Sequence, residues 1–373
     1  MSIVKAVIHH INLPLREPFV ISYARWDAMP SVLVELHTDD GRVGWGEGVA
    51  DEFVTGENTI ASVEVLEHVL LPEVLHHDLR PADLQRLHAV MDARIGGNPS
   101  AKAAIDLAFH DLIGQEAGLA VCDLLGGRDD EALTYPHVVS IGEPEDMAAH
   151  AERGIERGYA SIKIKVGSGD ARRDVERIRA VCEAVDHRVP VRVDANQGWR
   201  DPGTAIEAAR QLGGLGISWL EEPIAMGDID GLAEVRRHSP VPVMADETCQ
   251  GPETLLRIIR ARAADMVNIK LMKTSGLHKA AQMAGIAEAA GLTVQIGSMV
   301  ESSVACAAGY HLAAARRVIH STELTGPLLF TEEVGDLVYD PPTVQLPRTP
   351  GLGVTVDPDR LDRLTTSRRE ITR

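Results

Sequence analysis

The chain lacks most of the features that mark a secreted, membrane-spanning or nucleic-acid-binding protein. Its four cysteines, Cys122, Cys182, Cys249 and Cys306, stand singly. With no CxxC pair to form a zinc or redox site, reduced thiols in a reducing compartment are expected. No apolar run is long enough to span a bilayer, and the amino terminus, MSIVKAVIHHINLPL, lacks the basic-then-apolar pattern of a signal peptide. A cytoplasmic location follows as the expectation. Positive charge is scarce: 37 Lys and Arg face 55 Asp and Glu, a net charge of -18. That balance repels phosphate backbones and anionic lipid, so neither nucleic acid nor membrane is expected as a partner. Aromatics are few at 3%, yet 45% of the 373 residues are hydrophobic, which excludes disordered and fibrous classes.

What is present divides into three textures. The first forty or so residues alternate apolar and polar positions, and Asp39-Asp40-Gly41 between two β-rich runs predicts a hairpin. From about residue 60 to 125 the spacing becomes helical, as in TIASVEVLEHVLLPEVL, RPADLQRLHAVMDARI and SAKAAIDLAFHDLIGQEAG, the last closed by a glycine. Strands followed by helices predict an α+β domain over residues 1–127. After LLGGRDD come eight short apolar runs separated by helix-like stretches: HVVSIG, ASIKIKVG, VPVRVDANQ, GISWLEEP, VPVMADET, ADMVNIKLM, LTVQIGSM and VIHSTEL. Eight such units predict a closed parallel barrel over residues 128–325. Residues 326–373 carry a Pro-rich, strand-like return that should pack against the first domain.

Polar residues recur at one point of each barrel unit. Lys165 to Asp194 is 29 residues, then Glu221 follows after 27, Asp246 after 25, Lys270 after 24, Ser298 after 28 and Glu323 after 25. One βα unit has about this length, so all should converge at the barrel's carboxyl face, where barrel active sites lie. Three carboxylates packed there, Asp194, Glu221 and Asp246, would repel one another without a cation. Oxygen-only ligation with open positions suits Mg²⁺, with Mn²⁺ as a substitute. Any one acid at a strand end is more often a helix cap or ion-pair partner. Joint placement at regular spacing is what points to a metal site.

Lys163 and Lys165 share one strand face, since residues i and i+2 do. Lys165 precedes Glu221 by two strands and Lys270 follows it by two, so their amines should flank a carboxylate substrate. A lysine crowded by cations is a base near neutral pH, with Lys163 supplying the neighbouring charge and Glu247 pairing with Lys270.

The motifs Lys-x-Lys, VDANQ, EEP, ADE and NIKLMKTSG, with GNPSAKAAIDLAFHDL and GSMVESS, resemble the muconate-lactonizing-enzyme subgroup of the enolase superfamily across essentially the whole chain. The resemblance implies a modified TIM barrel, (β/α)₇β, with an α+β capping domain formed by the N-terminal segment and the C-terminal tail. It implies Mg²⁺ on Asp194, Glu221 and Asp246, Lys165 and Lys270 as the acid/base pair working through an enolate, and a homo-oligomer, octamer or dimer.

That subgroup contains cycloisomerases, racemases or epimerases of acylated amino acids and dipeptides, and syn-dehydratases, all acting on small-molecule carboxylates. Dipeptide epimerases of the group carry Asp-x-Asp on the eighth strand, where this chain has Glu323-Leu324-Thr325. STELTGPLLFTEEV and LPRTPGLGVTVD resemble the carboxyl-terminal segments of muconate and chloromuconate cycloisomerases, in which a glutamate matching Glu323 lies at the active site. The leading expectation is therefore a muconate-type cycloisomerase. The alternatives are a racemase or epimerase of N-acyl amino acids or dipeptides, and a non-catalytic metabolite-binding protein. Tyr23, Arg25 and Trp26 in the loop 18–31 are substrate-binding candidates, Arg25 for a distal carboxylate. So are Asn196, Ser298, Met299, Glu301 and Thr325 beyond the barrel strands, and 49–58 is a second candidate lid.

Overall fold

A computed structural model describes residues 2–129 and 132–373. Fourteen strands run in chain order among these described residues. β1 (Ile3–Val20), β2 (Arg25–Thr38) and β3 (Val43–Gly48) form an antiparallel meander. The Asp39-Asp40-Gly41 turn closes β2 on β3, with Gly41 at φ 87° and the Thr38 N–H donating to the Arg42 carbonyl at 3.0 Å. The barrel strands are β4 (His137–Val139), β5 (Ile162–Lys165), β6 (Val191–Asp194), β7 (Ile217–Glu221), β8 (Val243–Ala245), β9 (Met266–Ile269), β10 (Thr293–Ile296) and β11 (Ile319–Thr322). β12 (Val338–Asp340) and β13 (Thr343–Gln345) pair as a small ribbon. β14 (Thr365–Thr372) returns to β1, giving the sheet order β14-β1-β2-β3. The last strand of the chain thus completes the sheet begun by the first.

β4 to β11 lie side by side in sequence order, all parallel, with helices between them. Each strand contributes three to five residues, and all but β11, where His320 is exposed, are buried or half-buried on both faces as a helix-covered parallel sheet requires. Across the β4/β11 seam the Thr322 hydroxyl donates to the Thr134 carbonyl at 2.7 Å. The fold is the expected (β/α)₇β barrel with its antiparallel cap.

The cap sits close because β3 reads Val-Gly-Trp-Gly-Glu-Gly. Gly44, Gly46 and Gly48 share one face, and the helix Pro99–Ala117 lies directly on it. A Cβ at Gly46 would stand 1.8 Å from the Ala104 carbonyl oxygen, so no side chain fits. That helix is buried nearly all round and ends at Gly118, at φ 69°, a left-handed terminus that suits glycine. On the other face of β3, Glu47 crosses into the barrel. Its carboxylate accepts the Ser302 N–H at 2.9 Å and the Ala305 N–H at 3.1 Å, capping the barrel helix Ser303–Ala315.

The stretch TIASVEVLEHVLLPEVL departs from one continuous helix. A π-turn spans Leu66–Leu70, with the Leu71 N–H bonded back to Leu66. Pro72 has no N–H to donate, and the wider turn falls immediately before it.

Candidate active site

The ladder register brings the chemistry together. Lys165 pairs with Asp194, and Asp194 with Glu221, so three functional residues lie level on adjacent strands. Asp246, Lys270 and Glu323 each follow the last residue of β8, β9 and β11. Ligand oxygens of Asp194, Glu221 and Asp246 all lie within 4.8 Å of one another, fully buried. Among the described residues, Glu221 Oε2 and Asp246 Oδ2 have no partner other than the Lys163 and Lys270 ammoniums, 2.9 and 2.7 Å away.

Electrostatics express the crowding. Burial, then repulsion from Asp194, pushes Glu221 up to about 7. Burial also opposes charge on Asp194, but Lys163 and Lys165 outweigh it and hold that carboxyl at about 2. Asp246 is likewise held low against burial by Lys270 and Lys273. Burial lowers Lys163 and Lys270, yet Asp194, Glu221 and Glu323 around the first, and Asp246 and Glu247 around the second, drive both ammoniums well above their ordinary value. Among bare carboxylates, then, Lys270 holds its proton; the base expected from the sequence requires a cation to offset those acids. A buried oxygen triad whose facing atoms meet only ammonium cations fits a hard divalent ion. Such an ion would neutralise the three acids and accept negative charge building on a substrate carboxylate.

Lys165 Nζ lies 2.7 Å from Asp194 and Lys270 Nζ 2.7 Å from Asp246, and both side chains line one cavity of about 160 Å³. Asn196, Ser298, Met299, Glu323, Thr325, Tyr23 and Trp26 line it as well. Lys163 lies deeper, bridging Asp194, Glu221 and Glu323 at 3.0, 2.9 and 2.5 Å. Glu247 is buried and accepts from the Asn196 amide at 2.9 Å. Glu301 is buried outside the lining, with Oε1 accepting the Met299 N–H at 2.8 Å. Arg25 also lies outside it, exposed and 3.5 Å from Asp27.

The segments 18–31 and 49–58 meet over the cavity. The Tyr23 ring packs 4.9 Å from Phe53, and its hydroxyl donates to Asp51 at 3.4 Å. Asp51 and Glu52 both line the cavity, giving it an acidic lip.

Three further residues complete the site. Lys273, which on sequence grounds reads equally well as surface charge, is buried and donates to Asp246 Oδ1 at 2.6 Å and to the Asn268 carbonyl at 3.0 Å. Asn268 donates to Glu221 Oε1 at 2.8 Å. Glu222 accepts the Asp246 N–H at 2.6 Å. Asn268 was legible in principle, being two residues before Lys270 along the β9 run.

Residues 3–126 match the model of the mandelate racemase / muconate lactonizing enzyme N-terminal domain, and residues 146–360 match that of the enolase C-terminal domain-like family. The chain belongs to the enolase superfamily. Within that superfamily it is 45% identical to the N-succinyl-L-Arg/Lys racemase of Bacillus cereus, over 98% of both chains. The crystal structure of the Bacillus cereus N-succinyl Arg/Lys racemase superposes with a TM-score of 0.97 over 100% of both chains, at 44% identity. A dipeptide epimerase from Cytophaga hutchinsonii, solved with Mg and D-Ala-L-Val, gives a TM-score of 0.95 over 100% of both chains, at 33% identity. The chloromuconate cycloisomerase of Cupriavidus pinatubonensis is 32% identical, covering 95% of this chain and 96% of its own. The superfamily members it resembles are isomerases, as this chain is.

Proposed function

We propose that the chain is a Mg²⁺-dependent racemase of N-acylated amino acids, with N-succinyl derivatives of basic amino acids as the substrate class. The observation that carries this reading is the pair of lysines lining one cavity, two strands to either side of Glu221. A substrate carboxylate held at the triad Asp194, Glu221 and Asp246 would present its α-carbon between them. One lysine takes the α-proton from one face while the other, protonated, returns a proton to the opposite face. Lys163 stays ionised between three carboxylates and fixes their positions. Trp26 and Tyr23, which line the cavity, would exclude water above.

The choice of substrate rests on charge. Asp51 and Glu52 at the lip suit a cationic side chain and disfavour a dianion such as muconate. Glu323 is engaged by Lys163 at 2.5 Å and Thr325 is neutral, so a free substrate ammonium would find weak compensation, whereas an acylated nitrogen needs none. The cycloisomerase expectation accordingly gives way, consistent with 45% identity to a racemase against 32% to a cycloisomerase.

In D₂O with Mg²⁺, N-succinyl-L-lysine should gain one deuterium and lose optical activity, while cis,cis-muconate keeps its ultraviolet absorbance. Lys165→Ala and Lys270→Ala should each abolish racemisation and each spare α-proton exchange of one enantiomer only. Consumption of muconate without exchange into acyl amino acids would reject the proposal.

A further inference from the structure

Each lysine of the pair is followed by a tight turn, and each turn is fastened by a buried aspartate outside the cavity wall. After Lys165 the anchor is Asp174, on the helix Ala171–Val185. Its carboxylate accepts the Gly167 N–H at 2.9 Å and the Ser168 N–H at 3.2 Å. It also accepts from the Ser168 hydroxyl, the Arg177 guanidinium and the Trp199 indole, each at 2.9 Å. Trp199 comes from the turn that follows Asp194, so one carboxylate ties down two neighbouring strand ends. All of these groups belong to the barrel.

After Lys270 the turn is longer and its anchor comes from the cap. The Lys273 N–H donates to the Lys270 carbonyl at 3.0 Å and the Gly276 N–H to the Leu271 carbonyl at 2.9 Å, which makes the turn compact. Asp106, on the cap helix Pro99–Ala117, accepts the Leu277 N–H at 2.6 Å where the helix Leu277–Ala289 begins. Gly276 stands at φ 103°, and a Cβ there would lie 2.2 Å from Asp106 Oδ2, so only glycine lets the turn approach this carboxylate. His88 Nε2 at 2.8 Å and His110 Nδ1 at 3.2 Å fix Asp106 from within the cap. The cap meets the same turn again where the Val49 N–H donates to the Met272 sulfur at 3.2 Å. Lys270 and Lys273, both held to Asp246, thus occupy a turn whose far end the cap grips.

We infer that Asp174 and Asp106 are separate positioning residues, Asp174 for Lys165 and Asp106 for Lys270, so that each face of the reaction has its own anchor and the cap supplies one of them. The inference rests on the racemase reading above and deepens it. A displaced lysine transfers its proton more slowly, and a shift of about 1 Å is worth on the order of 100-fold. Racemisation cannot become one-sided, because the two enantiomers have equal free energy in solution. Exchange of the α-proton with solvent can, since each enantiomer gives its proton to one lysine only.

The test follows initial α-deuterium exchange into N-succinyl-L-lysine and N-succinyl-D-lysine separately, in D₂O at saturating Mg²⁺. Lys165→Ala and Lys270→Ala define which enantiomer each lysine serves. Asp106→Asn should slow exchange of the Lys270 enantiomer about 10- to 100-fold more than that of the other, and Asp174→Asn should do the reverse. Racemisation should fall equally in both directions. Backbone amide exchange, read by mass spectrometry, should quicken over 271–277 in the first variant and over 167–168 in the second. Should Asp106→Asn fail to fold, Leu277→Pro removes the same N–H at a first helical position, where proline is tolerated, and should skew exchange the same way. Equal loss for both enantiomers, an unchanged ratio, or the same skew in both variants would overturn the assignment. Amides that loosen as expected in a protein whose wild type exchanges neither enantiomer would keep the two anchors and refute the racemase.

Discussion

Glu301 allows a quantitative test of how the buried charges are balanced. Its Oε1 accepts one backbone N–H, from Met299, while Oε2 has no partner. Burial raises its pKa from 4.5 to about 7, with the Glu47 carboxylate adding to the effect. The unfolded chain releases this proton near 4.5, so between those values the native state binds the proton more tightly. Below pH 4.5 both states are protonated and there is no penalty; as pH rises through 7 the penalty reaches its full size. The difference of about 2.5 pH units, at about 1.4 kcal/mol each, amounts to about 3 kcal/mol. Glu301→Gln keeps the oxygen that accepts from Met299 and cannot ionise. Urea unfolding of both proteins at pH 5, 6, 7 and 8, at one fixed Mg²⁺ concentration, should show the variant gaining on the wild type by about 2.5 kcal/mol from pH 5 to pH 8, since part of the penalty is already present at pH 5. Buried acids that do not interact with Glu301 titrate alike in both chains and cancel in the difference. Parallel pH profiles would refute the assignment of an ionising, poorly solvated carboxyl at this position.

Lys273→Met should cost about 3–5 kcal/mol in the same assay, because it strips one of two buried ammoniums from Asp246, leaving Lys270 alone on that carboxylate and the Asn268 carbonyl without its donor; a cost below 1 kcal/mol would contradict the buried pair. Asn268→Leu should weaken divalent-ion binding about 10- to 100-fold by calorimetry, since Glu221 loses the amide that orients it, with far-ultraviolet dichroism unchanged. Gly46→Ala should destabilise by at least about 1–3 kcal/mol, read as a lower thermal midpoint, because its methyl group would collide with the Ala104 carbonyl.

The barrel was legible because each of its strands is short, apolar and ended by a polar residue at near-constant spacing. Asp194, Glu221, Asp246, Lys165 and Lys270 could be read from that rhythm alone, and the strand ends place them together. Lys273 escaped the same reading because it lies beyond β9, where periodicity no longer says which way a side chain points. Only the fold shows that its ammonium turns back onto Asp246. Arg25 illustrates the converse: a cation in a candidate lid invites assignment to an anionic substrate, yet at the start of β2 it lies beside Asp27, two residues along the same strand face. The choice among isomerase reactions was not legible in the lysines and the acidic triad. The racemase proposed above rests instead on the charges of Asp51, Glu52, Glu323 and Thr325, which only the fold brings around one cavity.

Glu47 has a bearing on how such proteins can be recombined. Its carboxylate belongs to the cap but terminates a barrel helix, and that helix begins directly after the Ser298–Glu301 segment at the substrate cavity. A chimera that takes its cap from one relative and its barrel from another must therefore inherit residues 47 and 302 as a matched set. Otherwise the graft would leave a charge buried at one end of the junction and an open helix terminus at the other, and the loop beside the substrate would lose its anchor. Compatibility across that seam, rather than similarity of the lids, sets which halves can be exchanged.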